Sequence, residues 1–186
     1  MKNKILDEIY EINSFASKYR NQTHFDPKIG KPLYGEVTRN GVNSIIEKFK
    51  DHFNNHAVFY DLGCGLGKMV FQIGLETETR LSVGIEYSKE RFEAAQDIKS
   101  KYDLGNNILF FNKDMLKVDL RGATIIYIDD TAFPAHLMKK LYNKIPRKCL
   151  LLYKNKIKDI IEIQNHDDNL VERDYEQSRL YWLIKK

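Results

Sequence analysis

The sequence VFYDLGCGLGKMVFQ, residues 58–72, decides the fold. Apolar β-branched and aromatic residues lead into Asp61, glycines follow at every second position, and an amphipathic run with helical spacing comes directly after them. This order predicts a strand, a tight turn formed by Gly63, Gly65 and Gly67, and a helix. The loop after the first strand of an open α/β sheet is a usual ligand position, so the turn is a candidate nucleotide-binding site.

The composition is that of a one-domain globular protein. The chain has 186 residues, of which 42% are hydrophobic, and this is enough for one sizeable core. Its 30 basic and 26 acidic residues give a formal net charge of +4. Such a charge permits an acidic partner without requiring one, so nucleic-acid contact has only weak support.

The sequence has no membrane or secretion signal. No apolar segment approaches the roughly 18 residues that span a bilayer, and the start, MKNKILDEIYEIN, is charged throughout. Cys64 and Cys149 form neither a disulfide framework nor a metal-binding spacing, which fits a reducing compartment. His52 and His56 are four residues apart, but without a third ligand nearby they do not predict a metal site. We expect an intracellular protein with no metal and no membrane contact.

Strand and helix patterns alternate through the middle of the chain. Strands are predicted over 56–63, 80–87, 107–114, 123–130 and 149–155, and helices over 67–77, 88–104 and 134–145. Ser88 is the expected N-cap of the second of these helices, with Arg91 at its N3 position, and Pro134 stands near N1 of the third. This alternation predicts an α/β protein with a doubly wound, mainly parallel sheet.

The two ends of the chain have different patterns. Residues 4–20 and 42–53 have helical spacing, and a long loop with prolines and glycines connects them. Residues 169–186 change to a strand pattern with a short polar turn, which predicts an antiparallel hairpin at the edge of the sheet. The hairpin brings the sheet to seven strands in a single compact domain.

The glycine spacing narrows the ligand. A dinucleotide fingerprint, G-x-G-x-x-G, needs a glycine where this chain has Lys68, and the spacing of a P-loop is also missing. The pattern D-x-G-x-G-x-G instead resembles motif I of the class I S-adenosylmethionine-dependent methyltransferases, which have a Rossmann-like fold. Glu86 and Asp114 end the second and third strands, so they are expected at the same sheet edge as Asp61. The alternative is that these carboxylates are only solvated strand ends or N-caps.

Three segments resemble one branch of that superfamily, the disruptor-of-telomeric-silencing (Dot-one-like, non-SET) histone lysine methyltransferases. PLYGEVTRNGVNSII (32–46) is similar to the family's Y-G-E-T loop and the helix after it. FYDLGCGLGKMVFQIGLETETRLSVGIEYSKERFEAA (59–95) is similar to motif I through the ribose-binding Glu, and IIYIDDTAF (125–133) stands where the family has V-I-F-V-N-N-F-A-F.

The resemblance implies a role for each candidate residue. The site for S-adenosyl-L-methionine, with S-adenosyl-L-homocysteine as product, would consist of Tyr34 and Glu36 as a lid over the methionine end, Asp61 and Gly63 at the methionyl amino and carboxylate region, Gly65, Gly67 and Lys68 in the rest of the turn, Glu86 at the ribose, Asp114 and Met115 at the adenine, and Asp129. The catalytic face would contain Tyr34, Asp129, Asp130 and Phe133, and Phe133 would form a wall of the cofactor and lysine channel. Residues 1–40 would then be an N-terminal helix and lid loop, and residues 41–186 the catalytic domain.

The chain departs from the family's pattern at the catalytic face. Asp129 and Asp130 replace a pair of asparagines, and Thr131 replaces a phenylalanine. Val37 displaces the threonine of the Y-G-E-T loop by one residue, and Lys68 replaces a glutamine. These changes leave the cofactor-binding pattern intact, and they concern the identity of the methyl acceptor.

The resemblance implies an S-adenosylmethionine-dependent protein-lysine N-methyltransferase that acts on a histone or histone-like protein, in the cytoplasm or, for a histone, in the nucleus. A second interpretation is an amine methyltransferase for a nucleobase or a small molecule. Nucleobase enzymes usually have an acidic residue or Asn followed by two prolines and an aromatic residue after strand four, and DDTAFP lacks this pattern. A third interpretation, a non-catalytic binding module, would predict a damaged glycine turn.

Structural roles remain open for several of these residues. Asp129 and Asp130 are interpreted as a base, a substrate anchor or a helix cap, because carboxylates also favour helix N-termini. Tyr34 could only hold its loop on the core, and Phe133 could be an ordinary core residue. The sequence does not choose among these alternatives.

Overall fold

The computed structural model describes residues 1–12, 35–157, 164–173 and 177–186. The strands are β1 (Val58–Leu62), β2 (Leu81–Glu86), β3 (Ile108–Asn112), β4 (Ile125–Ile128), β5 (Leu150–Tyr153), β6 (Asn165–Glu172) and β7 (Gln177–Ile184). The helices are α1 (Lys2–Tyr10), α2 (Arg39–Lys48), α3 (Lys68–Glu76), α4 (Lys89–Lys101) and α5 (Ala135–Lys144). Short 3-10 helices cover Lys50–His52, Met115–Lys117 and Asp130–Ala132.

The seven strands form one sheet in the order β3-β2-β1-β4-β5-β7-β6. β1 to β5 are parallel, whereas β7 runs antiparallel to β5 and β6 antiparallel to β7. The predicted fold class, a mainly parallel α/β sheet with an antiparallel C-terminal hairpin, is therefore confirmed. The strand order reverses between β1 and β4, where ligands bind in open sheets of this kind.

The central strands are buried on both faces. Ile125 and Tyr127 of β4 belong to an apolar cluster that also contains buried residues of α1 to α4. Ile126 and Ile128 belong to a second cluster, which α5 covers. Because successive side chains of a strand point to opposite faces, helices must cover both sides of this sheet, and this explains the continuous apolar runs in the sequence.

The helix boundaries differ from the predicted ones mainly before the sheet. α1 ends at Tyr10, and the rest of the predicted helix over 4–20 lies almost wholly outside the described residues. α2 begins at Arg39, three residues early, because the Thr38 hydroxyl accepts a hydrogen bond from Gly41 N at 3.1 Å and so caps the helix. The proposed boundary after residue 40 falls inside this helix.

Two predicted helix caps and the predicted start of the C-terminal hairpin can be compared with the structure. Ser88 is the N-cap of α4 and accepts a bond from Arg91 N, as predicted, whereas Pro134 is the N-cap of α5 and precedes N1. β6 begins at Asn165, earlier than the predicted start of the hairpin at residue 169, and includes the polar residues NHDD. A polar strand fits here because β6 lies at the edge of the sheet, where charged side chains are common.

Candidate cofactor and acceptor site

The glycine turn between β1 and α3 has a backbone that favours glycine. Gly63, Gly65 and Gly67 have positive φ values of 92°, 57° and 79°. Gly63 N and Cys64 N both donate to Ile85 O, at 2.8 and 3.1 Å, and these bonds attach the turn to the end of β2. The alternating glycines therefore provide left-handed positions that other residues adopt only at a cost.

Aromatic side chains lie close to two of these glycines. A Cβ atom built on Gly67 would lie 2.4 Å from Phe110 Cε1, and one built on Gly63 would lie 3.4 Å from Phe133 Cζ. Phe133 is half-buried and follows the 3-10 helix after β4. The structure thus brings Phe133 to the turn, where the sequence analysis places it as a wall of the channel.

Glu86 holds the turn from the end of β2. Its Oε2 accepts a hydrogen bond from Gly65 N and its Oε1 accepts one from Ser88 N, both at 2.8 Å. The side chain is only 6% exposed. Each carboxylate oxygen can accept a second hydrogen bond, so Glu86 retains the capacity to bind two hydroxyl groups of a ribose.

Asp61 is a buried acid without a hydrogen-bond donor among the described residues. It is 5% exposed, and its partners in register are Gly84 and Tyr127 on the two neighbouring strands. Burial, together with the nearby charges of Glu86 and Asp129, raises the pKa of this carboxyl to about 8. A buried acid with a raised pKa favours a cationic ligand, because a cation would stabilise the charged form of the carboxyl group.

Asp114 and Met115 follow β3. Asp114 caps a 3-10 helix, since its Oδ1 accepts a bond from Leu116 N at 2.9 Å. Among the described residues nothing donates to its second oxygen, which leaves that oxygen for an amino group. Met115 is buried in the cluster beneath α5, so the two predicted adenine residues lie at the end of β3 but in different surroundings.

Lys68 and Glu36 form an ion pair. The ammonium nitrogen of Lys68 lies 2.7 Å from Glu36 Oε2 and donates to the carbonyl oxygens of Tyr10 and Ile12 at 3.2 and 2.9 Å. Lys68 is buried at the start of α3, directly after the turn. The pair links the N-terminal segment to the glycine turn, and direct contact of either residue with a cofactor stays a prediction.

The two acids after β4 have different partners. Asp130 is buried, and its Oδ1 accepts bonds from Lys154 N at 3.0 Å and Asn155 N at 2.8 Å, which joins the ends of β4 and β5. Burial raises the pKa of Asp130 to about 6 despite these bonds. Asp129 accepts from Thr131 N and its hydroxyl through Oδ1, and so caps the 3-10 helix that begins at Asp130.

Arg173 is the residue of this site that the sequence analysis misses. Its Nη1 lies 3.1 Å from Asp129 Oδ2 and donates to the hydroxyl of Tyr127 at 3.0 Å. Arg173 directly follows β6, far along the chain from β4, and the sequence around it, VERD, contains no motif that predicts a role in the site. Only the pairing of the hairpin with the sheet brings it to Asp129.

The predicted site residues of β1 to β4 therefore lie at the carboxyl ends of neighbouring parallel strands, on one side of the sheet. Tyr34, the predicted lid residue, lies outside the described residues. In the ranges that the structure describes, no group of three or more His, Cys, Asp or Glu side chains is arranged to hold a metal ion. Within the same ranges, no helix has the length and apolar character needed to cross a membrane.

The donors and acceptors of this edge fit S-adenosylmethionine. The buried acid Asp61 lacks a described donor, Glu86 has hydroxyl-binding capacity, and a side chain on the turn would meet Phe110 or Phe133. These are the features that a cationic adenosine compound requires. Proteins of known structure provide an independent comparison.

Solved structures show the same fold. The chain superimposes on an RNA methyltransferase from Salinibacter ruber in complex with S-adenosyl-L-homocysteine, with a TM-score of 0.65 and 17% identity over 81% of this chain and 94% of that one. It also superimposes on magnesium protoporphyrin IX methyltransferase from Synechocystis PCC 6803 with bound SAM, with a TM-score of 0.63 and 14% identity over 100% and 97% of the two chains. The fold is that of the class I S-adenosylmethionine-dependent methyltransferases.

The sequence comparison defines the family. The profile of histone methylation protein DOT1 matches residues 12–165, and the chain belongs to this family. A relative from Caenorhabditis elegans, named "Histone-lysine N-methyltransferase, H3 lysine-79 specific", is 29% identical over 125 residues. The aligned part covers 60% of this chain and 13% of that protein, so the chain spans only a small part of the relative's length. The family resemblance inferred from the three sequence segments is confirmed.

Proposed function

We propose that the protein is an S-adenosylmethionine-dependent protein-lysine N-methyltransferase whose acceptor is a histone or a histone-like protein. The observation that carries this proposal is the bond from Gly65 N of the glycine turn to the buried carboxylate of Glu86, beside the buried acid Asp61 on the neighbouring strand. Asp114 follows the next strand of the sheet, β3. The family match and the name of the C. elegans relative support the lysine and histone parts of the proposal.

The three acids have separate roles in the proposed cofactor site. Asp61 accepts a hydrogen bond from the methionyl ammonium group, and the positive charge of that group favours the ionised form of the buried acid. Glu86 accepts the ribose hydroxyls while it continues to hold Gly65 N and Ser88 N. Asp114 accepts the adenine amino group through the oxygen that does not cap the 3-10 helix.

The proposed acceptor side lies at the end of β4. When bound, S-adenosylmethionine supplies a methyl group on a positively charged sulfur, and the protein has to align an amine with it. Phe133 provides an aromatic wall at Gly63, and aromatic faces suit cationic groups. Asp129 orients the amine. Asp130 has a structural role, because the hydrogen bonds described for it join the end of β4 to the end of β5.

A labelling experiment tests the proposed function. The purified chain is incubated with radiolabelled S-adenosylmethionine and with histone octamers, nucleosomes, cell-lysate protein and tRNA in parallel, and labelled species are identified by mass spectrometry. We expect methyl-lysine in protein. Label in tRNA or in a small molecule alone would favour the amine methyltransferase alternative, and a chain that binds the cofactor without transferring methyl to any acceptor would favour the binding module.

Residue exchanges separate chemistry from binding in the same assay. Asp129→Ala is expected to lower methyl transfer to protein by at least 100-fold, because the amine loses the group that orients it. Asp168→Ala, which removes an exposed acid of β6 paired with Arg179, is the matched control and is expected to keep full transfer. Equal transfer by both variants would contradict the role proposed for Asp129.

A further inference from the structure

Arg173 is a buried arginine at the acceptor side of the site. Its side chain is 0% exposed, whereas the side chain of its partner Asp129 is 26% exposed. One nitrogen, Nη1, contacts both Asp129 Oδ2 and the hydroxyl of Tyr127. The guanidinium group is thus fully buried, whereas the acid that it contacts is partly exposed.

The backbone around Arg173 is fixed by the segment that precedes α2. Arg173 forms an antiparallel bridge with Val37, and Thr38 N donates to Glu172 O at 2.9 Å. The Thr38 hydroxyl also lies 3.0 Å from a carboxylate oxygen of Glu172. These bonds place the arginine relative to Asp129 through two independent parts of the chain, so the ion pair has a defined geometry.

Three carboxyl groups, those of Asp61, Asp129 and Asp130, lie at the ends of β1 and β4. Asp129 influences both of the others, because its charge helps to raise the pKa of Asp61 and that of Asp130. Asp130 is stabilised by amide groups at the end of β5. Asp129 is stabilised by the positive charge of Arg173, which is buried beside it.

We propose, on the basis of the methyltransferase function above, that Arg173 is a positioning residue that holds Asp129 and offsets its charge where the sulfonium and the acceptor amine meet. An unpaired carboxylate at this point would stabilise the amine as an ammonium ion, which cannot attack a methyl group. With Arg173 in place, Asp129 can still accept a hydrogen bond from the amine, but it holds a positive charge less strongly. The acceptor class that follows is an amine that reacts in its uncharged form.

The charge offset can be measured without knowing the acceptor. S-adenosylmethionine carries one positive charge more than S-adenosylhomocysteine, so the ratio of their dissociation constants reports the charge near the sulfur. Arg173→Gln leaves Asp129 uncompensated and is expected to shift this ratio about five- to tenfold in favour of S-adenosylmethionine. Asp129→Asn removes a negative charge beside Arg173 and is expected to shift this ratio in the opposite direction by a similar factor.

Calorimetry with both compounds on the full chain is the test. The double variant Arg173→Gln/Asp129→Asn and the conservative variant Arg173→Lys are expected to keep a ratio within about twofold of the parent chain, because each retains charge balance. Arg179→Gln is the matched control, since Arg179 is an exposed arginine of the same hairpin paired with Asp168. If Arg173→Gln does not fold alone, the comparison of Asp129→Asn with the double variant decides the question, because these two chains differ only at residue 173.

The outcomes separate this role from a structural one. Equal weakening of both compounds in Arg173→Gln, with the ratio unchanged, would show that the arginine only supports the fold. No shift in Asp129→Asn would overturn the proposal even if the arginine variant cannot be made. A parent chain that binds neither compound would refute the methyltransferase function itself, and the proposed role of Arg173 with it.

Discussion

The ends of β1 to β3 and the end of β4 both collect carboxylates, but they use them differently. At β1 to β3, Glu86 and Asp114 accept hydrogen bonds from backbone amides of the glycine turn and of the loops after the strands, whereas Asp61 has no donor among the described residues. At β4 the acids are held by the end of β5 and by Arg173 of the hairpin. The ends of β1 to β3, the first edge, are built from residues close together in the sequence. The end of β4, the second edge, is built from distant parts of the chain. The departures from the family pattern at Asp129 to Thr131 fall at the second edge.

Loss of Glu86 would have the largest effect on the cofactor edge. Glu86→Ala removes the acceptor of Gly65 N and Ser88 N together with the ribose-binding carboxylate. We expect S-adenosylhomocysteine to bind about 100-fold more weakly, which corresponds to about 3 kcal/mol. Calorimetry measures the effect, with Glu93→Ala as control because Glu93 is an exposed acid paired with Lys89 on α4. A loss of less than threefold would contradict the assignment.

A methyl group at Gly67 tests the turn itself. Gly67→Ala would force a residue with a Cβ atom into φ 79° and place that atom 2.4 Å from Phe110 Cε1. We expect the free energy of unfolding to fall by about 2 kcal/mol in a chemical denaturation experiment. Gly122→Ala is the control, because nothing lies within 4 Å of a Cβ atom there. Equal stability of the two variants would show that the turn tolerates a side chain.

The buried acid at the end of β1 gives a prediction with a pH-dependent sign. The pKa of Asp61 is raised from 3.8 to about 8, so the folded protein binds more protons than the unfolded one between these values. Stability of the ligand-free chain therefore falls as the pH rises from 4 to 8. Asp61→Asn removes this loss and is expected to raise the melting temperature by about 3–6 °C at pH 8.5.

The same variant has a built-in control in its pH dependence. The difference in melting temperature between Asp61→Asn and the parent chain should close as the pH approaches 4, where the carboxyl is protonated in the folded state. Cofactor binding by calorimetry should be weaker in the variant at pH 8.5 despite its higher stability. A variant that is less stable than the parent at every pH would show that the carboxylate supports the ligand-free fold.

The smallest expected effect is at Asp130, on the other edge. Asp130→Ala removes the acceptor for Lys154 N and Asn155 N, but it also relieves the burial that raises the pKa of this acid to about 6. We expect a loss of about 1 kcal/mol in unfolding free energy and cofactor affinity within about twofold of the parent. Asp119→Ala, at an exposed acid bonded to Arg121, is the control. A tenfold loss of cofactor affinity would move Asp130 into the binding site.

The sequence predicts most of the first edge because its determinants are close together along the chain. The strand, the glycines and the helix of the turn follow one another directly, and Ser88 caps α4 from the residue before it. The second edge depends on pairings that no local pattern reports. Arg173 reaches Asp129 only after the hairpin joins β5, and the start of β6 at Asn165 is hidden in a polar stretch that edge position makes acceptable.

Lys68 shows the same limit at a residue that local reasoning selects correctly. The position after the third glycine is predicted to belong to the site, and the structure places it at the turn. Its ammonium group, however, is taken by Glu36 and by two carbonyl oxygens of the N-terminal segment. Spacing in a motif predicts where a residue lies, whereas the partner of a long flexible side chain depends on the tertiary contacts.

The buried Lys68 pair also joins two parts of the protein into one cooperative unit. α3 cannot pull away from the end of α1 without stranding a charged amine that has already lost its water. Local opening of the N-terminal helix and local opening of the glycine turn should therefore occur together, with a common free energy of opening. Backbone amide exchange in α1 would then slow when a nucleoside ligand binds at the glycine turn.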